Sequence, residues 1–535
     1  MTEHEAELTY ADAPPENGVS DARQRTRILV AMCVALVAVV ASVSGLNVAQ
    51  QQLAVELGAS QSQLLWIING YTIALAALLM PIGAIGDRFG RKKVLLTGLA
   101  LFVVSNIAAA FATAVPMLIA FRVLGGVAAA MIMPVTLSVI TSSFPAEDRD
   151  RAIGVWAGFA GAGGIIGLFT SSLVIDNFTW PWVFALPVVM AVIALAMTTA
   201  VVPHSREHHE GRFDTVGSVL SAIAVGAIVL GIHEGPEVGW TAPLTMAALI
   251  AGVVAAIGFA FWELRQDHPL LDLRVFRNRM LASGSFALLV TFAVMTGLFL
   301  VVVQYLMVVL GYSAIGAAAG LIPLALLMMP LSAVAPLIAR RVGMRSMFVG
   351  GSILISAGLA TMASMASIDG GYLSVLPGML IMAIGVGLIM TPGTTAITAS
   401  LPPEEQGVAS ALNDTVREVG AAVGVALLGS VMSAGYSSAV SSSTGALPAE
   451  AAHAVEEGIG GAVGVSMQMA EAGFVEPAGA LMEAAKSAFL DGWTGSMWVS
   501  AGIALMVAVV SIFWTPSRRV EHATTAVVTD EVATA

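Results

Sequence analysis

Fourteen runs of mostly apolar residues, separated by clusters of charge, constrain this chain more than any other feature. They lie near 28–48, 64–86, 94–112, 116–141, 152–174, 182–202, 215–233, 242–262, 282–309, 315–338, 347–366, 373–397, 408–435 and 495–514. A bilayer core of ~30 Å is crossed by about 20 helical residues, so each run is long enough to span. Composition agrees: 57% of the 535 residues are hydrophobic and only 11% are charged, against about 25% charged in soluble domains. The spacing predicts an all-α polytopic membrane protein with 14 spans.

The bases test this count, because short cytoplasmic loops hold an excess of Lys and Arg. With fourteen crossings, one side receives Arg23, Arg25, Arg27, Arg88, Arg91, Lys92, Lys93, Arg149, Arg151, Arg206, Arg212, Arg265, Arg274, Arg277, Arg279, Arg340, Arg341, Arg345, Arg518 and Arg519. The other side receives Lys486 alone, and Arg122 and Arg417 fall inside spans. Both termini are therefore expected in the cytoplasm, with the long loop 436–493 outside. Its stretch from Pro448 to Leu490 is rich in Ala and Glu and predicts a helical excursion on that surface.

Several function classes drop out. The net charge is -12 with no basic tract, which leaves nucleic acid without an electrostatic footing. The one cysteine, Cys33, can build neither a disulfide framework nor a Cys-based zinc site. No phosphate-binding Gly-rich loop and no paired His at zinc spacing occur, since His208 and His209 are adjacent in a charged loop. No enzyme activity, metal or cofactor is expected. The acidic segment 1–27 reads as a cytosolic tail rather than a secretory signal, and 515–535 as a second tail.

A charge near the bilayer centre is costly, so embedded charge is a functional hypothesis by default. Arg122 lies in span 4, and Asp414, Arg417 and Glu418 lie in span 13. Spacings of three and four put the latter three on one helical face. One reading is proton coupling, in which Glu418 or Asp414 exchanges a proton with the two sides while Arg417 offsets their charge. The other is a local salt-bridge triad that pins span 13 to its neighbours. Arg122 is read as a structural or relay charge. Asn47, Trp66, Asn69, Tyr71, Gln304 and Asn413 fall in or near spans expected to border a central cleft, where each is a candidate for the substrate cavity or for a helix-to-helix hydrogen bond. The 27 methionines suit a pliable apolar cavity. Gly154, Gly158, Gly161, Gly164 and Gly167 line one face of span 5 for close helix contact.

The chain also repeats itself. Gly83-Ala-Ile-Gly-Asp87-Arg88-Phe-Gly90-Arg91-Lys92-Lys93 after span 2 has a weaker copy after span 10, Pro336-Leu-Ile-Ala-Arg340-Arg341-Val-Gly343. Gly90 and Gly343 are 253 positions apart, and the same offset takes Gly154 to Gly407. Two six-span halves are expected, 28–202 and 282–514, with spans 7 and 8 inserted in a linker at 203–281.

On these motifs the chain resembles the major facilitator superfamily, and within it the fourteen-span drug:proton antiporter branch. The 83–93 loop carries most of the likeness. Arg122-Val-Leu-Gly-Gly126, Trp66-Ile-Ile-Asn69-Gly-Tyr71, Phe213-Asp214-Thr-Val-Gly217 and Ser410-Ala-Leu-Asn413-Asp414-Thr-Val-Arg417-Glu418 add to it. Three positions depart from the branch: Ser42 stands where an acid is common, Leu168 where a proline is, and Pro181 within a usual Trp-Arg-Trp. The resemblance implies a major facilitator fold and a conformational latch built from Gly83, Asp87, Arg88, Gly90 and Arg91. It implies proton-coupled export of small lipophilic compounds by alternating access from the plasma (inner) membrane, with the proton gradient as energy source. The expected partners are the substrate, protons and membrane lipids, and a monomer is expected. Two alternatives stay open: an exporter of a lipid, peptide or metabolite or an uncoupled facilitator, which Ser42 and Leu168 favour, and a non-transporting receptor or scaffold.

Overall fold

The computed structural model describes residues 19–203, 213–445 and 447–517. Arg206, Arg212, His208, His209, Arg518, Arg519 and most of both tails lie outside the described residues. Among those described, fourteen helices are long and apolar enough to cross a membrane, matching the number predicted. They are α1 (Ala22–Leu57), α2 (Gln61–Phe89), α3 (Arg91–Ala110), α4 (Val115–Ser143), α5 (Ala146–Asn177), α6 (Ala185–Val201) and α7 (Thr215–Val238). They continue with α8 (Pro243–Glu263), α9 (Arg279–Val309), α10 (Ala314–Val342), α11 (Met344–Met365), α12 (Leu376–Thr398), α13 (Gln406–Val440) and α14 (Val475–Trp514).

Local chemistry sets the ends. Ser60 and Gln63 form a reciprocal capping box at the start of α2, while Asp214 caps α7 through Gly217 N–H at 2.8 Å and Asn278 caps α9. The repeat has a backbone cause. Gly90 (φ 106°) and Gly343 (φ 84°) each close one helix and open the next, α2 to α3 and α10 to α11, a conformation that glycine alone adopts at no steric cost.

The helices form two six-helix halves, α1–α6 and α9–α14. Two seams join them: α5 packs on α10, and α2 packs on α13. The inserted α7 rests on both α2 and α13, with Ala76, Val229 and Ala422 in one small apolar cluster, and α8 covers α7 from outside. Val253, Val254, Ile257 and Phe261 of α8 are exposed, an apolar surface suited to lipid.

The glycines of α5 do not share one neighbour. A methyl group at Gly154 would lie 2.6 Å from Ser332 O of α10, and one at Gly158 3.2 Å from Met329 Cα, but one at Gly167 would lie 2.6 Å from Ala41 Cα of α1. The glycine row turns from the seam into its own half along the helix. Between 436 and 493 the chain forms helices Ala449–Glu457 and Ile459–Glu471, and α14 starts at Val475, about 20 residues before the apolar run that marked it.

Candidate functional site

Three groups of buried polar residues lie along the middle of the bundle and one of its ends. The first sits in the N-terminal half. Arg122 is 2% exposed; its Nε donates to Ile67 O at 3.1 Å and its NH1 to Ser42 Oγ at 3.0 Å, and Ser42 Oγ donates to Asn106 Oδ1 at 3.1 Å. The guanidinium stands 4.3 Å above the Tyr71 ring, whose hydroxyl donates to Val39 O at 3.1 Å. No carboxylate among the described residues forms an ion pair with Arg122, and its NH2 has no hydrogen-bond partner. Its positive charge is compensated only by dipoles and an aromatic face.

The second group is on α13. Asp414 is wholly buried and accepts from Arg417 NH1 at 3.3 Å and from Asn413 Nδ2 at 3.0 Å, both at Oδ1. Its Oδ2, Arg417 Nε and Asn413 Oδ1 have no hydrogen-bond partner. The Arg417 guanidinium lies 5.2 Å from the Trp156 ring of α5 and 4.5 Å from the Phe292 ring of α9, so aromatic faces from both halves meet one cation. Trp156 is fixed in turn by donating Nε1–H to Thr136 Oγ1 at 3.1 Å. Glu418 is half-buried and within electrostatic reach of Arg417, Asp414 and, across the halves, Tyr71.

The third group is at the end of the bundle where α2 stops and α13 starts. Asp87 is 1% exposed. It accepts from Arg91 NH2 at 2.9 Å and Nε at 3.0 Å, and its oxygens also receive Gly407 N–H at 2.8 and 2.9 Å and Val408 N–H at 3.1 Å. A carboxylate of one half therefore caps the first turn of a helix of the other, where orphan N–H groups and the helix dipole favour negative charge. Arg91 NH2 also donates to Pro403 O at 3.3 Å. Gly83 makes room: a methyl group there would lie 2.6 Å from both Ala411 Cβ and Gly407 O. On the other seam the offset of 253 carries Asp87 to Arg340, which reaches Glu147 O at 3.3 Å and Asp150 Oδ2 at 3.4 Å. The repeat has conserved the position of the tie and reversed its sign.

The residues predicted to border a cleft have separate fates. Tyr71 and Asn413 join the first and second groups; Trp66 and Asn69 are half-buried; Asn47 and Gln304 are exposed. Arg88 is half-buried in the last turn of α2, and Gly90 forms the following turn. Gly420 and Gly424 of α13 lie against Leu289 and Ala293 of α9, inside their own half. Trp156, Phe292 and Arg340 were not singled out as site residues, because their roles depend on partners far away in sequence. The repeat offset could have found Arg340.

Comparison with known proteins agrees with this architecture. The chain is 32% identical over 421 residues, 78% of its length and 77% of the relative's, to the tetracenomycin C resistance and export protein of Streptomyces glaucescens. It is 32% identical over 387 residues, 72% and 76% of the two lengths, to the multidrug efflux pump LfrA of Mycolicibacterium smegmatis. At 28% identity over 416 residues, 78% and 83%, it is similar to the methyl viologen resistance protein SmvA of Salmonella typhimurium. Its fold is similar to that of the proton:xylose symporter XylE bound to 6-bromo-6-deoxy-D-glucose, with a TM-score of 0.59 at 13% identity over 92% of this chain and 96% of that one. The Major Facilitator Superfamily profile matches residues 30–425, and with fourteen spans in two six-helix halves and an inserted pair the chain belongs to that superfamily of transporters, in its fourteen-span branch.

Proposed function

We propose that the protein exports small lipophilic compounds from the cytoplasm in exchange for protons, by alternating access, from the plasma membrane and with both termini in the cytoplasm. The observation that carries this reading is the α13 group. Asp414 and Arg417 are a buried ion pair with unsatisfied polar atoms, placed where the aromatic rings of Trp156 and Phe292 converge from the two halves. A purely structural pair in that place could be replaced by apolar side chains at little loss. Glu418, half-buried beside the pair, is the group that trades a proton for substrate, and the change in local charge alters how the halves meet. The drug resistance and export names of the relatives support lipophilic cargo.

In this reading the Asp87 end is cytoplasmic, the Asp87 cap and the Arg340 tie hold that end shut while the cleft faces outward, and the halves 28–202 and 282–514 rock about the inserted linker 203–281. Tyr71, Trp66, Asn69 and Asn413 face the cargo or order the residues that do; Asn47 and Gln304 lie nearer its exit. The test is efflux of a lipophilic dye by the chain reconstituted into vesicles with an imposed pH gradient. Wild type should concentrate the dye against its gradient, and Glu418→Gln should lose the dependence on pH. Gradient-driven export undiminished in the variant would refute the coupling role.

A second reading, facilitated export without proton coupling, is favoured by Ser42. It gives Arg122 a hydroxyl in place of a carboxylate, and no described acid pairs with that arginine. Equilibration of dye by wild type without concentration would select it.

A further inference from the structure

The inserted pair of helices carries two carboxyl groups that the transport reading leaves unused. Asp214 precedes α7 and Glu263 ends α8. Glu263 is wholly enclosed (0% exposed): its Oε2 accepts from Leu271 N–H at 3.2 Å, and its Oε1 has no hydrogen-bond partner. Asp214 accepts from Gly217 N–H at 2.8 Å and from Trp262 Nε1–H at 3.0 and 3.2 Å. Glu263 Oε1 and Asp214 Oδ2 face the same small space beside Gly217. Gly217 leaves the space for this. A methyl group there would run into Glu263 Oε1 and lie 2.5 Å from Asp214 Oδ2.

Among the described residues, neither acid has a basic partner. Arg265 is turned over the Phe261 ring at 3.7 Å, and Arg274 is held by Leu264 O at 2.9 Å and Asp272 at 3.5 Å. Asp267 and His268 of the same loop make no hydrogen bond to either carboxyl. The helices beneath α7 bring Asp87, Arg88, Arg91, Glu404 and Glu405 to this end, and Asp87 and Arg91 pair with each other. No ion pair joins a described base to Asp214 or Glu263, and Asp214 is the charged neighbour of Glu263. A second negative charge beside the enclosed Glu263 is disfavoured by repulsion and by the loss of water around Glu263.

We propose that Asp214 and Glu263 share one proton, making the base of the α7–α8 hairpin a proton-binding site separate from α13. Glu263 Oε1 carries the proton, drawn from the water at that end, and donates it as a hydrogen bond to Asp214. Asp214 already accepts from the Gly217 and Trp262 N–H groups, so it is the acceptor in this contact. A divalent cation fits poorly, because it needs six or more oxygen ligands and two carboxyls are present. Loss of the proton leaves like charges at the hairpin base and separates α8 from α7. Since α7 touches both α2 and α13, pH at this end then bears on the seam between the halves. The inference is independent of the cargo and of Glu418.

Trp262 is a built-in reporter, because its indole donates to Asp214. In the full chain in lipid nanodiscs, the emission attributable to Trp262, isolated by subtracting Trp262→Phe, should show a one-proton transition with pH. Glu263→Gln, whose amide holds the same hydrogen bond permanently, should lose that transition together with one infrared band of a protonated carboxylic acid. Asp414→Asn/Glu418→Gln should retain both. An unchanged transition in Glu263→Gln would overturn the proposal, as would a transition reproduced at constant pH by adding sodium or magnesium ions. Should Glu263→Gln fail to insert, Asp214→Asn must lose the transition, and its persistence there is equally fatal.

Discussion

The carboxylate of Asp87 receives the backbone N–H of Gly407, 320 residues further along the chain, at 2.8 Å. The contact joins the last turn of α2 to the first turn of α13, and it exists only while that end of the two halves is together. Asp87→Asn keeps an oxygen acceptor but loses the charge that pairs with Arg91. Hydrogen bonds to charged groups are worth about 1.5–3 kcal/mol, so turnover should fall about tenfold or more. Substrate affinity, measured by equilibrium binding, should change by less than about threefold, because a latch acts on the balance of global states rather than on the cleft. A large loss of affinity at unchanged turnover would assign Asp87 to a local site.

Removing one member of the α13 pair should cost more than removing both. Asp414→Ala leaves Arg417 as an unpaired buried cation, a change that destabilises by about 3–5 kcal/mol. Asp414→Leu/Arg417→Met should recover most of the thermal stability while transport stays abolished. Scanning fluorimetry in detergent separates the two effects, and recovery of transport along with stability would reduce the pair to a structural tie.

Ser42 donates to Asn106 and receives Arg122, so an acid at this position would meet the arginine directly. Ser42→Asp should pair with Arg122 and remove its positive potential from the cleft. Wild type is expected to favour neutral, zwitterionic or singly charged lipophiles, and the variant should improve growth protection against permanent dications by about threefold or more, an energy of about 0.7 kcal/mol. Strong wild-type export of dications that depends on neither Asp414 nor Glu418 would defeat this expectation.

Cys33 is buried, so Cys33→Ser gives a clean background for topology. Single cysteines placed at 264–279 should resist an impermeant maleimide added to intact cells, and those at 447–493 should react. Reaction of the first set from outside would invert the assignment of the two faces.

The span count was legible because hydropathy alone fixes it: each crossing needs a long apolar run, and the bases at 88–93, 149–151 and 340–345 separate them cleanly. The repeat was legible for a backbone reason, since Gly90 and Gly343 both need positive φ. What charges do once buried was not. Nothing near Arg417 in sequence announces Trp156 or Phe292, and nothing near Asp87 announces the α13 amides. Glu263 stands at the end of an apolar run, where a charge is ordinary in sequence; its enclosure depends on Leu271 and Asp214, which come from elsewhere in the hairpin. The extension of α14 beyond its apolar stretch was hidden for the opposite reason, because its outer turns need not meet lipid.

The ties at the two seams differ in exposure, and so in their response to ionic strength. The Asp87 cap is sealed from solvent and bound to backbone amides, beyond the reach of mobile ions. The Arg340–Asp150 contact has side chains 45% and 25% exposed, and a Debye length of about 8 Å at physiological salt already screens such a pair. Added salt should therefore weaken the Arg340–Asp150 tie while leaving the Asp87 cap intact, so that at high ionic strength the α2–α13 contact alone bears the closure of that end.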